Sequence, residues 1–106
     1  RLGAIYFDYD EATLTDTAQK TLQQNAEWMR RNASARVQVE GHCDERGTTE
    51  YNIALSQRRA EGVKTYLTDL GVPAETMSVN PKGDLESMGQ TEAERSKDRR
   101  VELIWQ

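Results

Sequence analysis

Residues 41–60 read Gly41-His42-Cys43-Asp44-Glu45-Arg46-Gly47-Thr48-Thr49-Glu50-Tyr51-Asn52-Ile53-Ala54-Leu55-Ser56-Gln57-Arg58-Arg59-Ala60, a strand end, a loop and an amphipathic helix in one run. At about 100° per residue from Glu50 to Leu70, the residues Leu55, Val63, Tyr66, Leu67 and Leu70 fall within one stripe of roughly 120°. Asn52 and Arg59 fall inside the same stripe. A guanidinium keeps its proton, and burying it unpaired costs several kcal/mol, so Arg59 is expected to have an acid or a ligand as its partner. The nearest acid is Asp44, in the loop just before the helix.

Upstream, Val37, Val39 and Gly41 alternate with Gln38 and Glu40 as a half-buried strand that feeds this loop, where Gly41 and Gly47 are expected to permit a tight backbone path. Ala18, Leu22, Ala26 and Met29 recur at helical spacing from Asp16 to Asn32, and Asp16 with Gln19 predicts a capping box. Before that helix, Ala4 to Tyr9 alternate, with Ile5, Phe7 and Tyr9 on one side, until Asp10 ends the strand. Downstream, Leu70-Gly71 closes the second helix, and Met77 and Val79 mark a third strand. Residues 82 to 98 read as a polar loop with a short helix from Thr91, and Arg99 to Trp105 alternate as a last strand. The pattern predicts an α+β fold, β-α-β-α-β-β, in which two main helices pack on one face of a four-stranded mixed sheet.

A chain of 106 residues is expected to form one domain spanning residues 1–106. Fourteen Lys and Arg against eighteen Asp and Glu leave a net charge of −4, which disfavours non-specific binding to nucleic acid or anionic lipid. No apolar run approaches the 18 or so residues of a membrane span. The opening residues lack the features of a secretory signal and there is no initiating Met, so the chain is expected to be a module of a longer protein.

Asp44 and Arg59 admit two readings. They form an internal salt bridge that closes the loop, or a split site in which Arg59 grips a carboxylate bidentately while Asp44 or Asp10 takes an ammonium. The second arrangement selects a zwitterionic, amino-acid-like group. Asn52 is placed to brace the Gly41–Thr48 loop through backbone hydrogen bonds. Phe7 and Tyr9 are core residues or an apolar wall for a ligand's aliphatic stem. A calcium loop starting at Asp8 fails, since Thr13 stands where glycine is needed and Gln19 where the bidentate Glu belongs. One His and one Cys supply no zinc set, and His42 next to Cys43 in a strand points away from it, so neither a metal, a cofactor nor catalysis is expected.

The run from Gly41 to Ala60, with Val63 and Tyr66-Leu67 after it, resembles the peptidoglycan-binding signature of OmpA-like domains, and Ile5-Tyr6-Phe7-Asp8-Tyr9-Asp10, Leu14-Thr15 and Asp98-Arg99-Arg100-Val101-Glu102 extend the likeness over the whole chain. The variant His-Cys-Asp-Glu-Arg-Gly-Thr is most similar to the peptidoglycan-associated lipoproteins, the Pal branch of that family. The resemblance implies a two-layer sandwich that binds the meso-diaminopimelate of the peptidoglycan stem peptide without catalysis, on the periplasmic side of the Gram-negative outer membrane. Carried over by position, it implies Asp44 and Arg59 as the central pair, with Asp10, Tyr9 and Phe7 at the strand end and Arg99 as a further contact. Asp98 stands where the family usually has Asn, and it is expected to pair with Arg99 and make it less available. The resemblance further implies TolB as a partner and a lipidated N-terminal cysteine as the only link to the membrane, on a segment outside this chain.

Overall fold

The computed structural model describes residues 2–106. Among them, β1 (Ile5–Tyr6), α1 (Asp16–Arg31), β2 (Val37–His42), α2 (Thr49–Asp69), β3 (Met77–Gly83), α3 (Glu92–Asp98) and β4 (Arg100–Trp105) follow in order, with a 3-10 turn at Ala74–Thr76. The four strands form one sheet in the order β1-β4-β2-β3. β2 and β3 run parallel, joined across the sheet by α2, while β4 lies antiparallel to both β1 and β2. The sheet is therefore mixed, as the pattern of the sequence requires.

The core lies between that sheet and α1 and α2. Leu22, Ala26 and Met29 of α1 and Ala60, Val63 and Leu67 of α2 pack on Ile5, Val37, Val39, Val101 and Leu103. The opposite sheet face carries Glu40, Glu102 and Ile104 and is only partly covered. A Cβ at Gly41 would stand 2.0 Å from the Ser56 carbonyl oxygen, so the glycine serves the close approach of β2 to α2. Its expected role in an unusual backbone path falls to Gly47 alone, whose φ is 95°. This contact fixes α2 over the end of β2 and so places Arg59.

Two local expectations are corrected and a third is met. The first strand stops after Tyr6, because the chain turns at Asp8, whose carbonyl accepts the Glu11 N–H at 3.1 Å, and Asp10 takes φ 57°. Phe7 stays buried, but Tyr9 is 55% exposed and leaves the core side. The cap of α1 is Thr15, one residue earlier than expected: its hydroxyl accepts the Ala18 N–H, while Gln19 donates to the Leu14 carbonyl. The short helix from Thr91 is α3, opened by a capping box between Thr91 and Glu94.

Candidate functional site

The ends of β1 and β2, the first half of α2 and the start of β4 meet at one edge of the sheet. Arg59, on the apolar face of α2, is fully buried there. Among the described residues it has no acid partner. Its Nε donates to the Glu11 carbonyl at 2.7 Å, Nη1 to the His42 carbonyl at 2.9 Å and more weakly to Cys43 Sγ at 3.6 Å, and Nη2 to the Asp8 carbonyl at 3.1 Å. The expected salt bridge with Asp44 does not form, because three main-chain oxygens at the converging strand ends reach the guanidinium first. Phe7 packs beneath it, with the ring centroid 5.0 Å from the guanidinium carbon. Burial pulls the Arg59 pKa below its ordinary value, yet a guanidinium keeps its charge at neutral pH. Four of its five N–H donors are committed, which leaves one on Nη2 and rules out a bidentate grip in this arrangement.

Asp44 is buried too, and its carboxylate is crowded with donors. Oδ1 accepts the Arg46 backbone N–H at 3.1 Å and Arg46 Nε at 3.2 Å, while Oδ2 accepts Arg46 Nη2 at 2.7 Å and Arg99 Nη1 at 3.3 Å. Burial pushes its pKa up, but the hydrogen bonds from Arg46 and Arg99 outweigh that and hold it below the usual carboxylate range. Arg99 is itself locked, its Nε on the Phe7 carbonyl at 2.9 Å and Nη2 on Glu92 at 2.9 Å. Asp98 does not pair with it, contrary to expectation. Its carboxylate instead accepts the Met88 and Gly89 backbone N–H groups and pins the 84–89 segment, which turns it away from Arg99.

Between these charges lies a cleft walled by Tyr9, Asp10, Asp44, Arg46, Tyr51 and Arg59, with Cys43, Gly47, Asn52, Leu55 and Arg99 completing the lining. Of the sequence-derived candidates, Phe7 lies under Arg59 and does not line it. Asp10 accepts a hydrogen bond from the Tyr51 hydroxyl at the mouth. Asn52 is buried and its amide donates to the Arg46 carbonyl at 3.0 Å, and at 3.5 Å to that of Asp44, bracing the loop as the helical stripe suggested. Cys43 is an unsuitable nucleophile, because burial pushes its thiol up to about 11.

Sequence reading missed Arg46, Tyr51 and Glu92. Arg46 stacks over Tyr9, 3.9 Å from the ring centroid, and Glu92 at the start of α3 receives both Arg46 and Arg99. Arg46 follows Asp44 closely enough for an Asx-type contact, and that spacing was the available signal. Away from the cleft, side-chain ligand atoms of Glu40, His42 and Glu102 lie within 4.8 Å of one another on the open sheet face. Each already has a protein partner: His42 meets Glu40 at 3.3 Å, and Glu102 meets Arg100 at 3.2 Å, the pattern of a charged sheet face.

Comparison with known proteins gives the family of the chain and a matching fold. The OmpA family model matches residues 6–101, and the chain belongs to that family. It is 40% identical over 107 residues to the peptidoglycan-associated lipoprotein of Haemophilus influenzae, covering 99% of this chain and 70% of that protein. The corresponding lipoprotein of Agrobacterium fabrum is 48% identical over 73 residues, 69% of this chain but 41% of that protein, so the match spans less than half the length of that relative. Among solved structures, the peptidoglycan-associated lipoprotein of Burkholderia pseudomallei superposes with a TM-score of 0.92 at 37% identity, covering 97% of this chain and 89% of that one.

Proposed function

We propose that this chain is a non-enzymatic module, a single domain over residues 1–106, that binds peptidoglycan through the meso-diaminopimelate of its stem peptide and so ties the cell envelope to the wall. One observation carries the reading: a fully buried guanidinium with no carboxylate among its hydrogen-bond partners stands beside a cleft that also holds a buried aspartate. A buried cation without a counter-anion attracts one, and the free Nη2 donor of Arg59 suits one oxygen of a ligand carboxylate. Asp44, with Asp10 at the mouth, suits an ammonium on the same carbon. Diaminopimelate ends in that pair of groups. The names of the relatives support peptidoglycan as the larger ligand and the envelope as the place; attachment to the outer membrane through a lipid is a further part of the proposal.

The experiment is a calorimetric titration with two muropeptides that differ only in the third residue, meso-diaminopimelate or lysine. The lysine form keeps the ammonium and lacks the side-chain carboxylate. At least tenfold tighter binding of the diaminopimelate form is expected, because only it satisfies Arg59. Equal binding of the two removes the zwitterion mechanism. Binding of a TolB-type protein belongs to the same proposal for the envelope role, and a pull-down with and without saturating muropeptide tests whether the two share this edge of the sheet.

A further inference from the structure

We propose, resting on the reading above, that Arg46 is the resident occupant of the amine subsite, a displaceable stand-in that the ligand's ammonium must evict from Asp44. The four contacts on the Asp44 carboxylate account for all of its lone-pair sites, so an arriving ammonium finds none free. Something must leave. Arg99 is 6% exposed and tied at both other ends, to the Phe7 carbonyl and to Glu92. Arg46 is the partner more easily released: its side chain is 32% exposed and its guanidinium stacks on the half-exposed ring of Tyr9.

The space agrees. The cleft is narrow, about 40 Å³, room for roughly three waters, and Arg46 itself forms part of its wall. Swinging Arg46 outward vacates the volume beside Asp44, and Glu92 receives it, since Arg46 Nη2 already stands 3.4 Å from Glu92 Oε1. The exchange is cation for cation on one carboxylate, so Asp44 is never left desolvated and unpaired. Selectivity follows from this. A ligand that brings only a carboxylate cannot replace the charge it evicts, whereas a zwitterion supplies an ammonium for Asp44 and a carboxylate for Arg59.

The test uses Arg46→Met, which keeps an apolar stem against Tyr9 and removes the cation, together with wild type, each titrated with the diaminopimelate muropeptide. About three- to tenfold tighter binding by Arg46→Met is expected, since no partly exposed ion pair has to be broken first. On titrating the wild type, the side-chain Nε–H resonance of Arg46 in NMR spectra is expected to shift with occupancy while that of Arg99 holds still. Unchanged or weaker binding by Arg46→Met, or an Arg46 resonance that does not move at saturation, overturns the displacement. If the wild type does not bind the muropeptide at all, the failure lies with the proposed ligand, not with Arg46.

Discussion

The guanidinium of Arg59, midway along α2, and the main-chain oxygen of His42, the last residue of β2, stand 2.9 Å apart. With the Asp8 and Glu11 oxygens on the same side chain, this contact ties the turn after β1, the end of β2 and the helix into one unit. Arg59 is thus a structural rivet as well as the group proposed to receive the ligand. Arg59→Ala leaves three carbonyl oxygens short of a donor and opens a cavity, and a loss of about 2 to 5 kcal/mol in urea denaturation is expected. Arg59→Lys keeps the charge but cannot reach three acceptors in different directions, so it is expected to recover only part of that loss.

Gly41 sets how closely β2 and α2 approach. With the Ser56 oxygen 2.0 Å from the position of a Cβ, Gly41→Ala forces the backbones apart. A loss of about 2 to 4 kcal/mol is expected from the displaced packing, measured by chemical denaturation. Gly62, where a Cβ meets nothing within 4 Å, is the control: Gly62→Ala in mid-helix is expected to be neutral or stabilising.

Asn52 holds the loop that carries Asp44 and Arg46. Asn52→Ala leaves the Arg46 carbonyl unpaired and frees the loop, at about 1 to 2 kcal/mol. Faster amide hydrogen exchange from residues 44–47, with exchange in α1 unchanged, is the expected signature.

Two buried groups give the stability of the fold a definite pH dependence. Burial, and then the neighbouring Arg100, pull the His42 pKa below the ordinary imidazole value, against the opposing pull of Glu40, Glu102 and Glu86. Between the lowered folded value and about pH 6.5, the unfolded chain therefore binds more protons, and stability falls as the pH drops through that window. For Asp44 the folded pKa is also lowered, so its contribution is present above about pH 3.9 and lost as the pH falls through the folded value. Denaturation midpoints measured from about pH 8 to about pH 2 are expected to fall in two stages, and His42→Gln is expected to abolish the upper one.

Much of this was legible from residue spacing. The stripe on α2 placed Arg59 and Asn52 among Leu55, Val63 and Leu67, and all five are buried. Alternation marked β2 and β4, and the stretch from Thr91 read as the short helix that is α3. What spacing could not show is who meets the buried cation. Backbone carbonyls carry no letter in a sequence, so a rule that seeks an acid for every buried arginine pointed to Asp44 and overlooked the main-chain oxygens of Asp8, Glu11 and His42 as hydrogen-bond acceptors. The same blindness hid Arg46 and Glu92, which meet only because α3 folds back beside the loop. Tyr9 was misplaced for a simpler reason: a turn at Asp8 broke an alternation that the letters continue.

The most direct measurement is the affinity of a diaminopimelate muropeptide for wild type and for Arg59→Lys, by calorimetry, with the fold of each checked by circular dichroism. Retained fold and at least a tenfold loss of affinity are expected, because the lysine cannot present a donor at the Nη2 position while holding the carbonyls. Equal affinity of the two folded proteins would contradict the claim that this buried cation receives the ligand's carboxylate.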